Sequence, residues 1–118
     1  QSPWAAIRLK NGNTLITAEQ AVLTREVNPK GETVWELTKD DIPSQYWYGN
    51  AQSVTRLDNG DTIVCSRGGG HHGTQVVEVT RDKKVVWVMQ DWAHYGPATA
   101  VQILDDAGYP ERPGDSTH

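Results

Sequence analysis

The sequence predicts an all-β chain: two copies of a four-stranded antiparallel unit plus one extra strand. Three observations predict it. The segment Arg8-Leu9-Lys10-Asn11-Gly12-Asn13-Thr14-Leu15-Ile16 returns as Arg56-Leu57-Asp58-Asn59-Gly60-Asp61-Thr62-Ile63-Val64, and the stretch from Arg25 to Trp35 returns between Val77 and Trp87. In each copy an Asn-Gly pair separates two alternating apolar runs, which is a short-range hairpin signal. No window keeps apolar residues at three-and-four spacing over three turns, so helix signals are weak throughout.

Strand A of the first copy runs from Ala5 to Leu9 and ends in the Asn11-Gly12 turn. Strand B follows from Thr14 to Thr17, strand C from Leu23 to Val27, and strand D from Thr33 to Leu37 after the polar turn Asn28-Pro29-Lys30-Gly31. In the second copy strand A is Ser53 to Leu57, B is Thr62 to Ser66, C is Gln75 to Thr80, and D is Val85 to Met89. A third copy begins at Ala98, where Ala98 to Gly108 echoes Ala51 to Gly60. The expected organisation is one repeat domain over 1–118: unit one at about 4–37, unit two at about 51–89, a partial third unit at 98–106, and a tail at 107–118.

A chain of 118 residues with 36% hydrophobic content can bury a core of moderate size. Phe is absent, whereas Trp numbers five and Tyr four, so much of the large apolar surface also carries a polar handle. A net charge of -4 without a run of Lys or Arg gives no footprint for nucleic acid or an anionic membrane, and neither partner is expected. No apolar stretch approaches the length of a membrane span, and no basic, apolar leader is present. The chain starts at Gln1, which reads as a processed product or an excerpt. Cys65 closes an alternating apolar run and reads as a small buried hydrophobe rather than a reactive thiol.

Leu9 and Leu57 lie 48 positions apart and Leu57 and Leu104 lie 47 apart, close to the length of one four-stranded propeller blade. Strand A is rich in small residues (Ala5, Ala6, Ala51, Ser53, Ala98, Ala100), as strands crowding a central axis must be. The pattern Arg-Leu-x-Asn-Gly-(Asn/Asp)-Thr-(Leu/Ile), followed by Glu-Val-x-Pro-x-Gly-x-x-Val-Trp in the first copy, resembles the blades of bacterial quinoprotein-like and arylsulfotransferase-like β-propellers. The segment Val85 to Asp91, with Gly96 to Asp105 and the tail Gly108 to Asp115, looks like the C-terminal end of secreted members, so that the chain resembles their C-terminal two blades. The resemblance implies a propeller-type fold and a secreted or periplasmic bacterial protein. Propellers close with about four to eight blades, so two blades imply a homo-oligomer completing a ring, the remainder of a larger propeller, or a different packing such as a nine-stranded β-sandwich or jelly roll.

In an up-and-down meander the A–B and C–D turns share one end, and the B–C and D–A loops share the other. The first set is tight and polar; the second is long and carries the unusual residues. The first D–A loop holds Gln45-Tyr46-Trp47-Tyr48-Gly49-Asn50, the second holds Asp91-Trp92-Ala93-His94-Tyr95, and the second B–C loop is Arg67-Gly68-Gly69-Gly70-His71-His72-Gly73-Thr74. Tyr46, Trp47, Tyr48, Trp92 and Tyr95 read either as a stacking platform for sugar rings or as plugs between neighbouring units, with Arg67 beside them. His71, His72 and His94 offer neutral imidazoles for a transition metal such as Zn or Cu, although adjacent histidines lack the spacing that puts two rings on one face. Trp35 and Trp87 recur at one strand position and read as core.

These features lead to a binding or structural module presenting an aromatic and histidine surface to carbohydrate. The alternative is an enzyme acting on poly- or oligosaccharide, metal-dependent through His71, His72 and His94. No Ser-centred elbow or Cys-His nucleophile pattern is present to decide for catalysis.

Overall fold

Among the described residues, short turns and alternating apolar residues produce eight strands in two meanders. In the computed structural model, which describes residues 3–18, 22–67 and 73–94, the first sheet contains β1 (Pro3–Arg8), β2 (Thr14–Ala18), β3 (Leu23–Val27) and β4 (Thr33–Thr38). The second contains β5 (Ala51–Arg56), β6 (Thr62–Ser66), β7 (Val76–Val79) and β8 (Val85–Met89). Each sheet is antiparallel and its strands lie in sequence order. A jelly roll, built from Greek keys, does not have this order. The expected extra strand at 98–106 and the tail at 107–118 lie outside the described residues.

The two copies match in detail. Both sheets carry a register shift near the start of strand A, between Pro3 and Ala5 and between Ala51 and Ser53. Both carry another directly after the strand-C glutamate, at Glu26/Val27 and Glu78/Val79. The A–B turns use one hydrogen-bond pattern. Leu9 N–H donates to Asn13 O at 2.7 Å and Gly12 N–H to Leu9 O at 3.0 Å, and Leu57, Asp61 and Gly60 repeat this at 2.8 and 3.0 Å. Gly12 (φ 91°) and Gly60 (φ 95°) occupy the left-handed position, so the loop has three residues rather than the two that the Asn-Gly pair alone predicts. The β3–β4 turn ends the same way at Gly31 (φ 83°), but Lys83 (φ 69°) holds that place in the β7–β8 turn.

The sheets stack face to face, with β5 packed across β1 and β2. Cross-strand rows Leu15–Glu26–Trp35 and Thr17–Thr24–Leu37 form the inward face of the first sheet. Val54, Val64, Val77 and Val88 form the facing row of the second. Together with Ile42 and Tyr48 from the connecting loop they make the main core. The far face of the second sheet carries the rows Ile63–Glu78–Trp87 and Cys65–Val76–Met89. Ile63, Cys65 and Val76 there are buried, and burial pushes the Cys65 thiol up from its ordinary value.

The buried carboxylate of Glu26 joins the sheets. Glu26, only 1% exposed, takes Asn13 Nδ2 at 2.7 Å on one oxygen, and Arg56 Nη1 at 2.9 Å with Arg81 Nη1 at 2.6 Å on the other. Both guanidinium groups lie over the Trp35 ring, 5.2 and 5.8 Å from its centre, and Trp35 Nε1 donates to Arg81 O at 2.9 Å. Burial works against the Glu26 charge, but Asn13, Arg81 and Arg56 outweigh it and hold the carboxyl down to about 2.

The second copy lacks that arrangement. Trp87, expected in the core like Trp35, is 46% exposed, whereas Trp35 is 7% exposed. Trp35 is covered because the second sheet lies on it; among the described residues no sheet lies on Trp87. Glu78 occupies the place of Glu26, but Asp61 stands where Asn13 stands in the first copy, and among the described residues no cation pairs with Glu78. Burial first, and the neighbouring Asp61 second, push the Glu78 carboxyl up to about 7.

The two glutamates therefore give stability opposite pH dependences. The folded pKa of Glu26 lies below its ordinary 4.5, so its contribution is present above that value and is lost as pH falls towards about 2. We expect Glu26→Gln to cost about 3 kcal/mol at neutral pH and to flatten the acid limb of a denaturation series. The folded pKa of Glu78 is raised, so stability falls as pH climbs from 4.5 through about 7. Glu78→Gln should remove that fall and leave the protein more stable than wild type on the alkaline side in the same series.

Candidate functional site

The three long loops converge at one end of the sheets, each held by hydrogen bonds to another. The β4–β5 loop starts with a turn in which Thr38 N–H donates to Asp41 Oδ2 at 2.7 Å. It buries Ile42 and passes through a short 3-10 turn at Ser44–Tyr46. Trp47 follows at 38% exposure, its indole N–H shared between Lys39 O at 3.0 Å and Ile42 O at 3.2 Å. The ring is thus fixed by its polar edge while part of its surface meets solvent. Tyr46 beside it is half-buried.

Tyr48 has a different role. It is 3% exposed and its hydroxyl bonds to Thr24 Oγ1 at 2.8 Å, so it plugs the gap between the sheets and presents no face to a ligand. Burial pushes its hydroxyl pKa well above the ordinary tyrosine value. Ser66 ties this loop to β6, accepting from Gly49 N–H at 3.1 Å and donating to Gly49 O.

The β6–β7 loop enters through Arg67, an exposed residue whose N–H donates to Asn50 O at 3.2 Å. It leaves through Gly73 and Thr74. Thr74 N–H donates to Trp47 O at 2.9 Å, and Trp92 Nε1 donates to Gly73 O at 3.0 Å. Gly73 is the hinge on which both tryptophans meet. Its φ is +86°, and a Cβ there would stand 2.8 Å from Trp47 O. Gln90 closes the cluster, donating from Nε2 to Gln45 O at 2.5 Å and to Thr74 Oγ1 at 3.0 Å. Asp91 N–H donates to the buried Gln75 Oε1 at 2.6 Å.

The described part of the rim therefore carries Trp47, half-buried Tyr46 and Trp92, Arg67, and an exposed His94 whose Nδ1 lies 2.9 Å from Asp91 Oδ1. The separation from the plain turns is not complete, because Lys83 reaches Asp41 at 3.6 Å. Tyr95, His71 and His72 lie outside the described residues. Among the described residues no three His, Cys, Asp or Glu side chains come together as a metal site. Gln45, Gly73, Gln90 and Asp91 were not singled out by sequence reasoning, yet they fix the tryptophans and His94. Their signal was position only, next to aromatic residues in long loops.

A cavity of about 170 Å³ lies at the opposite end, between the two A–B turns, lined by Leu9, Lys10, Asn11, Arg56, Leu57 and Asp58. The Lys10–Asp58 ion pair at 3.3 Å sits among these residues. Pockets that enclose small molecules run to roughly 300–1,000 Å³, so this cavity is too small for such a role.

No family model matches the chain, and no curated protein matches it. It is similar to a solved structure, a protein of unknown function from Bacteroides caccae, with a TM-score of 0.70 and 24% identity over 83% of this chain. The match covers 38% of that protein, so the chain spans well under half its length. The likeness shows a shared fold.

Two substitutions separate the hinge from the plug. Gly73→Ala should cost about 1–3 kcal/mol and shift Trp47 fluorescence, because the new methyl must displace the Trp47 carbonyl. Tyr48→Phe should cost about 1–2 kcal/mol through the lost buried hydrogen bond and leave the exposed indoles unchanged. Chemical denaturation followed by circular dichroism and by tryptophan emission reads both effects.

Proposed function

We propose that this chain is a propeller-type recognition module of a secreted or periplasmic protein and that its loop-rich rim binds carbohydrate. The observation that carries the reading is Trp47: a partly exposed indole whose polar edge is satisfied inside the protein, leaving its apolar surface fixed towards solvent. A sugar ring has an apolar C–H face edged by hydroxyls. Stacking that face on an indole removes apolar area from water without breaking an existing hydrogen bond. Arg67, Gln45, Gln90 and Asp91 belong to the same loops as the tryptophans and are donors and acceptors of the kind that hydroxyls need. Preorganisation supports the reading too, since a ring already fixed loses little freedom on binding.

The sequential meanders and the crossing of β5 over β1 and β2 support the propeller-type description. Titration with a panel of oligosaccharides, followed by calorimetry, tests the binding. At least one glycan class should bind saturably, and Trp47→Ala should weaken it by about tenfold or more, equivalent to about 1.4 kcal/mol. Trp87→Ala, away from the rim, should leave it unchanged. No heat with any glycan, or equal affinity in the Trp47 variant, rejects the reading.

The Asp91–His94 pair favours a second reading, a metal-dependent enzyme acting on oligosaccharide, because a carboxylate on one ring nitrogen orients a histidine for ligation. Elemental analysis of the purified protein tests it: stoichiometric Zn or Cu that His94→Ala removes would support it, and metal-free protein would reject it.

A further inference from the structure

Inside the chain, the first sheet offers a socket and the second sheet fills it. The socket is Glu26 beside Trp35, cross-strand neighbours on β3 and β4, and the plug is Arg56 at the end of β5, joined by Arg81. The repeat rebuilds the socket on the far face of the second sheet. Glu78 and Trp87 are cross-strand neighbours on β7 and β8, with the same register shift directly after the glutamate. Trp87 is 46% exposed there. The inner part of that face is already buried at Ile63, Cys65 and Val76, so what stands open is the outer corner around Trp87.

The repeat also rebuilds the plug. Arg8 occupies at the end of β1 the place of Arg56 at the end of β5, opposite Thr14 as Arg56 is opposite Thr62. It is exposed, its guanidinium bonds to Gly12 O in its own turn at 3.3 Å, and among the described residues it pairs with no carboxylate. Among the described residues, one side thus ends in a carboxyl-and-indole socket with no cation on it, and the other in a cation with no carboxylate beside it.

We propose that a second copy of this chain docks head to tail on the β7–β8 corner, setting its Arg8 on Glu78 and over Trp87 as Arg56 sits on Glu26 and Trp35 within the chain. The raised pKa of Glu78, about 7, fits a carboxyl that lacks the cation its counterpart has. The intermolecular contact is weaker than the internal one. Pro29 stands where Arg81 stands, so one guanidinium is supplied instead of two. The Arg25–Glu36 ion pair, at 2.5 Å, occupies the face where the second sheet packs Val77 and Val88. Association is therefore reversible and concentration-dependent. Because the contact joins unlike surfaces, it closes into a ring or extends into a filament. The surface lies apart from Trp47 and Trp92, so its failure and the failure of carbohydrate binding are separate results.

Sedimentation velocity of the full chain over a wide concentration range tests the proposal. The wild type should rise above its 13.1 kDa mass as concentration increases. Arg8→Glu and Glu78→Arg should each weaken association by about tenfold or more, and mixing the two variants should restore it, since Arg8 of one then meets Glu78 of the other. Trp87→Ala should also weaken association without changing the circular dichroism, which keeps the test open if a charge reversal misfolds. A 13.1 kDa particle at every concentration overturns the proposal and leaves the corner to a partner other than this chain. Association that survives both reversals, or that mixing fails to restore, overturns it as well.

Discussion

The stacking of one sheet on the other depends on the buried Glu26 carboxylate. Each meander is a four-stranded sheet that turns an apolar face to the other, and the two faces could in principle slide over one another, because hydrophobic contact is not directional. Glu26 removes that freedom. Its two oxygens accept from Asn13, Arg56 and Arg81, groups from the first sheet, from β5 and from the β7–β8 turn. Desolvating a carboxylate and a guanidinium is costly, and the attraction between them does not by itself guarantee a net gain. What the cluster supplies is a defined geometry: a buried charge that misses its partners is penalised heavily, so one placement of the sheets is selected.

That placement positions the candidate site. With β5 lying across β1 and β2, the loop from the end of β4 to the start of β5 folds over the core. Tyr48 closes it from inside while Trp47, one residue earlier, stays at the surface. Gly73 then brings the β6–β7 loop onto the Trp47 carbonyl at a distance that no side-chain-bearing residue would tolerate. The rim is thus a consequence of sheet stacking, relayed through loops that hydrogen-bond both to one another and to the strands.

Most of the strands were legible because repetition and alternation report the same thing twice. Leu23–Val27 and Thr62–Ser66 form as the pattern placed them. Repetition also misled. It made Trp87 equivalent to Trp35, which holds for strand position and fails for burial, since burial depends on what packs against the strand, and among the described residues no sheet lies on Trp87. The Glu26 cluster was visible only as a charged residue recurring inside an apolar strand at Glu26 and Glu78, a signal whose meaning rests on Arg81, 55 positions away. Tyr48 could not be told from Trp47 by sequence, because adjacent aromatic residues in a loop differ only in which way the chain turns.

The sequential strand order also bears on how the chain acquires its shape. Among the described residues every ladder joins neighbours linked by a hairpin or one loop, so each sheet can assemble from contacts with short loop closures. The Arg56–Glu26 and Arg81–Glu26 pairs, separated by 30 and 55 positions, can form only when two such sheets meet. The charged cluster is accordingly a late event, acting as a latch on preformed halves: it governs how slowly the native state comes apart more than how quickly it is reached.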